Sequence, residues 1–194
     1  LYSMEVIRKD TLIQWGGGVV FSGALAGGII RDILVGKTPP AAFSNYRYMA
    51  IAVVTALVVF FIAWLSKEHY EHNVDVVNAV NNVFDAAGLG AFTITGAKVA
   101  MRMGYMDNGF FVVFLAMVTG IGGGVLRDLM IGEIPFVLRK RIYAVASILG
   151  GIVYYRLVHY QMEDMAAAFV GIGTVFGLRM LATVFKWNLP KAYE

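Results

Sequence analysis

The sequence predicts an all-α integral membrane protein. It reads as two inverted three-helix repeats plus a seventh helix, with most of the first helix missing and six spans present. Three observations carry this prediction. The 194 residues are 59% hydrophobic and only 15% charged, with a mean hydropathy of +0.69. A soluble domain carries about 25% charged residues, so this composition cannot cover a water-facing surface. Six apolar stretches reach the roughly 20 residues a helix needs to cross a bilayer. Finally, one glycine-rich phrase with an Arg-Asp pair occurs twice, 96 positions apart.

The six spans fall at about residues 11–36, 46–66, 75–101, 108–132, 139–160 and 164–187. The clearest is Tyr48–Leu65, which contains no charged residue. The breaks carry turn or charge signals: Gly36 to Pro40, Lys67 to His72, Arg102 to Asp107, Gly132 to Pro135 with Arg139 to Arg141, and Gln161 to Asp164. None is long enough to link separate domains. The chain is therefore one transmembrane domain, divided into a truncated first repeat (1–72), a second repeat (73–162) and a final helix with its tail (163–194).

The duplication supplies the topology. Gly27, Gly28, Arg31, Asp32, Gly36 and Pro39 of the first copy fall on Gly123, Gly124, Arg127, Asp128, Gly132 and Pro135 of the second. From the helix 11–36 to its partner 108–132 is a step of three spans, and an odd step reverses direction, so the copies run antiparallel. Inverted repeats of this kind build transport folds, with the working site near the repeat interface. The second copy is preceded by the helix 75–101. The first is preceded only by Ser3 to Lys9, comparable to Lys98 to Arg102, so residues 1–9 read as the tail of a missing first helix. Leu1 is not an initiator methionine, and residues 1–10 lack the apolar region of a signal peptide. Eight loop cations (Arg8, Lys9, Lys67, Arg139, Lys140, Arg141, Lys186, Lys191) lie on one side and four (Lys37, Arg47, Arg102, Arg156) on the other. The positive-inside rule then places the C-terminus in the cytoplasm.

The glycine clusters admit two readings. Gly23/Gly27 and Gly120/Gly124 fit the small-xxx-small spacing that lets helices approach closely. Consecutive glycines also weaken a helix, and a bent or broken helix exposes backbone groups that bind an ion or small solute. The arginines and aspartates beside them are likewise open to two readings. They form a snorkelling or local structural pair at the helix end, or the arginines guard or gate a pore while the aspartates hold them. Adjacent helical residues point about 100° apart, so Arg127 and Asp128 are expected to seek partners on other helices.

The helix 75–101 is the most polar. Asn78, Asn81, Asn82 and Asp85 share a face that suits a water-lined path, or form an ordinary exposed helix start. Lys98 lies toward its other end. Arg179 within the last span is expected to be buried against the bundle. Tyr46, Tyr48, Trp64, Tyr154, Tyr155 and Trp187 sit where interfacial anchors are placed. His69, His72 and His159 show no metal spacing. The chain contains no cysteine, and no nucleophile elbow, phosphate loop, metalloprotease motif or basic stripe for nucleic acid occurs.

The doubled Gly-Gly-x-x-Arg-Asp phrase, the segment Asp85 to Phe92 and the closing Phe176-Gly-Leu-Arg179-Met-Leu-Ala with Trp187-Asn-Leu-Pro190 resemble one family. It is the prokaryotic branch of the trimeric intracellular cation (TRIC) channels, also known as the bacterial glycine-transporter domain (UPF0126-like) family. The resemblance covers essentially the whole chain. It implies a seven-helix protomer assembled as a homotrimer in the membrane lipid of a prokaryotic plasma membrane. It implies a pore in each protomer for monovalent cations, chiefly potassium, with K+ or Na+ passing and no cofactor or metal centre. The second and fifth helices of the family bend at their glycines and line that pore. Here those bends correspond to Gly27 and Gly28 and to Gly122, Gly123 and Gly124. The resemblance makes Arg31, Asp32, Arg127 and Asp128 pore-lining or gating candidates, followed by Asp85 and Lys98. Ala26 replaces the first glycine of the first triplet, which implies a shallower bend there. The function expected is thus a passive potassium-permeable channel. A secondary transporter of glycine or another small amino acid would use the same bends, with helix N-termini holding the carboxylate. A non-conducting helical scaffold is the third reading.

Overall fold

The computed structural model describes residues 25–44, 46–65, 74–130, 132, 134–139 and 142–185. All regular structure among these residues is helical. Helix α1 occupies residues 25–34. It is followed by the short α2 (Ala41–Ser44), α3 (Tyr46–Leu65), α4 (Val74–Ala100), α5 (Gly109–Met130), the short α6 (Phe136–Arg139), α7 (Ile142–His159) and α8 (Asp164–Val184). The long helices match five of the spans expected from hydropathy. Of the first span, 11–36, only the part from residue 25 lies within the described residues, and the expectation that residues 1–9 end a missing helix lies outside them.

Among the described residues, α5, α7 and α8 have the length and apolar composition needed to cross a membrane. They and α4 form a tightly packed group in which α4 touches the other three and α7 lies between α5 and α8, the most extensive contacts being α4 with α5 and α7 with α8. The core between them is built from small and medium side chains: Leu89, Ile94 and Ala97 on α4, Val112, Leu115 and Ala116 on α5, Ala146 on α7, and Ala167 and Val175 on α8. Large apolar residues point outward instead, including Phe84, Phe110 and Phe169, each more than two-thirds exposed. Water would penalise such a surface, whereas hydrocarbon does not.

Glycine and proline explain the chain reversals. Gly36 and Gly132 both have φ of +71°, a left-handed conformation that a side chain disfavours. At Gly36 the α1 helix closes with Gly36 N–H donating to the Ile33 carbonyl (3.0 Å) and Lys37 N–H to the Asp32 carbonyl (2.8 Å). This is the double bond pattern of a glycine-terminated helix. Gly132 repeats its first half, donating to the Leu129 carbonyl at 3.1 Å. Pro39 and Pro135 then prevent helical continuation. Between α4 and α5 the chain passes through a π-helical turn, Met101–Tyr105, which Gly104 interrupts at φ 92°. Asn108 caps α5 by accepting from Phe111 N–H at 3.0 Å.

Candidate functional site

The two copies of the duplicated phrase meet in space. A β-carbon added to Gly27 would collide with the Thr119 carbonyl oxygen and approach Gly123 N at 3.4 Å. One added to Gly122 would lie 3.2 Å from the Gly27 Cα. The repeat glycines therefore let the backbones of α1 and α5 touch where the inverted repeats face each other. Both helices remain α-helical through these positions, with residues 25–34 and Gly109–Met130 each unbroken. Of the two glycine readings, the close approach is present and a break in the helix is not. Gly28 is roomier, and Gly124 faces a side chain instead of a backbone. A β-carbon at Gly28 would meet only Arg31 Nη2, at 3.8 Å, whereas one at Gly124 would come within 3.2 Å of the Tyr143 hydroxyl and 4.0 Å of Arg127 Nη2.

Asp32 and Asp128 are both buried, at 1% and 4% exposure. Each accepts from its neighbouring arginine: Arg31 Nε at 2.8 Å and Arg127 Nε at 3.0 Å. The expectation that adjacent residues cannot pair is corrected here. The flexible arginine stem turns back far enough to offset the 100° between adjacent Cα–Cβ directions. The other carboxylate oxygen caps the short helix after the turn. Asp128 Oδ2 accepts from Phe136 N–H (2.6 Å), the first residue of α6, and Asp32 Oδ2 accepts from Ala41 N–H (2.7 Å), the first of α2. The second donor is shifted one place relative to the repeat because Pro40 has no N–H to give. Both aspartates thus fasten the reversal after their helix and orient an arginine.

Asp85 is placed differently. It lies well inside α4, not at an exposed helix start, and its side chain is 18% exposed. Oδ1 lies 3.5 Å from Arg127 Nη1 and accepts from the Tyr143 hydroxyl at 3.2 Å, while Oδ2 accepts from Arg179 Nη2 at 3.3 Å. Arg179 is 2% exposed, as expected for a cation buried against the bundle. Its guanidinium carbon lies 4.7 Å from the Tyr143 ring centroid and 5.1 Å from that of Phe136. Such stacking supports a desolvated guanidinium. Its Nε has no hydrogen-bond partner among the described residues. One carboxylate, two guanidinium groups and one phenol from α4, α5, α7 and α8 therefore converge, with Asp128 adjoining through Arg127. The side chains of Asn78 and Asn81, expected on the same face as Asp85, lie outside the described residues.

Lys98 belongs to another cluster. It sits 13 residues after Asp85 on α4, about 20 Å away at 1.5 Å per residue. There Lys98 Nζ donates to Asp164 Oδ2 at 2.8 Å, and the Tyr154 hydroxyl donates to Asp164 Oδ1 at 2.6 Å. The start of α8 is thereby tied to α4 and α7. Between the two charge clusters the packed core holds a hydroxyl pair, Thr93 Oγ1 to Ser147 Oγ at 2.6 Å, packed against Gly120. Tyr143, Phe136, Thr93, Ser147, Tyr154 and Asp164 were not among the expected site residues. Thr93 and Ser147 stand out in the sequence as polar residues in apolar spans. The aromatic pair around Arg179 leaves no comparable signal.

Comparison with known proteins follows the same duplicated architecture. A family model described as "Glycine transporter" matches residues 16–64 and 82–159, one stretch around each copy of the repeated phrase. The UPF0126 membrane protein YvgT of Bacillus subtilis is 34% identical over 180 residues, covering 86% of this chain and 77% of YvgT. A solved TRIC cation channel has a TM-score of 0.75 and 32% identity, covering 90% of this chain and 81% of its own. The TRIC trimeric intracellular cation channel orthologue from Rhodobacter sphaeroides has a TM-score of 0.74 and 26% identity, covering 91% of this chain and 98% of its own. With the family model matched over more than half its length, and the fold shared with these channels, the chain belongs to the UPF0126 (glycine transporter) family of membrane proteins, whose architecture is that of the prokaryotic TRIC channels.

Proposed function

We propose that this protein is a passive, potassium-permeable monovalent-cation channel with one pathway in each protomer of a homotrimer. The observation that carries this reading is the near whole-chain likeness to two TRIC channels, one named as a cation channel and the other as trimeric. The geometry supports it. Gly27 and Gly28 on α1 and Gly122, Gly123 and Gly124 on α5 bring the repeats together, and Arg31 and Arg127 are held at the helix ends by Asp32 and Asp128. Asp85 contributes the carboxylate of the pathway, whereas Lys98 closes the bundle at the far end. Selectivity follows from passage width and lining dipoles. In this reading the protein sits in a prokaryotic plasma membrane among lipids, with its C-terminus in the cytoplasm. The repeat units are 1–72 and 73–162, with 163–194 as the closing helix. Catalysis, cofactors and nucleic acid have no part in it.

Purified protein in planar bilayers tests the reading. Under a potassium chloride gradient, unitary currents should reverse near the potassium equilibrium potential. Reversal near the chloride potential, or no unitary current in a correctly folded preparation, would overturn it.

A further inference from the structure

We propose that Asp85 is the monovalent-cation binding site of the pathway and that Arg127 is a tethered cation occupying it in this conformation. The inference rests on the channel reading and adds to it a site and the group that blocks it.

Among the described residues, the four carboxylates with ion-pair partners differ in how tightly they are held. Asp32 accepts at 2.7–2.8 Å, Asp128 at 2.6 and 3.0 Å, and Asp164 at 2.6 and 2.8 Å. These are the lengths of satisfied charge-assisted bonds. The three contacts of Asp85 are all 3.2–3.5 Å, and among the described residues every one comes from a side chain. Asp32 and Asp128 are also committed to a backbone N–H, so neither can be released without undoing a chain reversal. Asp85 can exchange its partners without disturbing the backbone.

The two arginines facing Asp85 are not equally free. Arg179 is buried and stacked between Tyr143 and Phe136, so it stays. Arg127 has a 37% exposed side chain and reaches Asp85 with its Nη1 alone, at the longest of the three distances. Its Nε remains bonded to Asp128 when Nη1 leaves. Gly124 adds no side chain there; a β-carbon at that position would lie 3.2 Å from the Tyr143 hydroxyl and 4.0 Å from Arg127 Nη2. Displacement exposes a carboxylate oxygen beside a hydroxyl oxygen, the hard donor set that suits an alkali cation. Arg179 still neutralises most of the Asp85 charge. The cation is therefore held weakly, as conduction requires.

Potassium flux into liposomes would be compared for the wild type, R127A, D85N and D85N/R127A, each with and without millimolar guanidinium chloride. Removing the tethered cation should raise basal flux about tenfold, a coupling of ordinary size for two linked states. Free guanidinium should then occupy the vacated place and return R127A to the wild-type rate. In D85N/R127A the increase and the guanidinium sensitivity should both disappear. R127K, which cannot bridge two carboxylates as a fork, serves if R127A does not fold, and a guanidinium-reversible rise is expected there too. A conducting wild type with no rise in the Arg127 variants, or equal guanidinium block with and without Asp85, would overturn the proposal and leave the channel reading intact. A folded wild type that passes no potassium would remove both.

Discussion

Replacing Gly27 and Gly28 separately by alanine isolates the contact between the repeats. Both lie in α1, and each substitution gains about 0.5–1 kcal/mol from reduced backbone freedom. The surroundings differ. The new methyl at position 28 meets only Arg31 Nη2 at 3.8 Å, an ordinary contact. At position 27 it collides with the Thr119 carbonyl oxygen. A backbone oxygen cannot rotate aside, so α1 and α5 must separate, and overpacking of this kind costs about 1–3 kcal/mol. The rigid obstacle places Gly27→Ala toward the upper figure, about 3 kcal/mol less favourable than Gly28→Ala. For a chain of this size, about 2–4 °C per kcal/mol gives a difference in Tm of roughly 6–12 °C. Intrinsic tryptophan fluorescence during heating in detergent reads it. Gly27→Ala melting at or above Gly28→Ala would refute the reasoning, because the two helices would then not touch at Gly27.

Other substitutions probe the remaining contacts. Asp128→Ala removes the acceptor for Phe136 N–H and for Arg127 Nε and should cost about 2 kcal/mol, whereas Asp128→Asn, which keeps an acceptor, should lose about half as much. Melting temperatures of the two variants check the ranking. Thr93→Val leaves the Ser147 hydroxyl without its 2.6 Å partner in the core. It should cost about 1–2 kcal/mol, most of which is recovered in Thr93→Val with Ser147→Ala, so a double-mutant cycle should show strong coupling. Lys98→Met breaks a more exposed pair, with Asp164 half exposed, and should change stability by less than about 1 kcal/mol. A larger loss would mean that this end of the bundle is desolvated.

Hydropathy and the duplication made much of the fold legible. The long described helices fall on the expected spans because a bilayer sets both their length and their composition. The burial of Arg179 followed from its place within an apolar run. Its partner Asp85 did not, because a pairing across 94 positions is decided by how the helices pack. The Asp128–Arg127 pair was misjudged by treating side chains as fixed spokes, when an arginine can curl around its neighbour. The short helices Ala41–Ser44 and Phe136–Arg139 carry too few residues for a periodic signal, although a buried carboxylate caps each. The glycine clusters were ambiguous for a related reason. Glycine both weakens a helix and admits a neighbour, and only the facing Thr119 carbonyl shows that close approach is realised at Gly27.

The central claim is passive cation conduction, and flux in liposomes tests it most directly. Purified protein would be reconstituted and assayed in parallel for voltage-driven potassium flux and for uptake of radiolabelled glycine. Fast, non-saturating potassium flux without glycine accumulation is the predicted result. Slow, saturable glycine uptake with no potassium flux would contradict the account and turn the meeting point of the repeats into a substrate site.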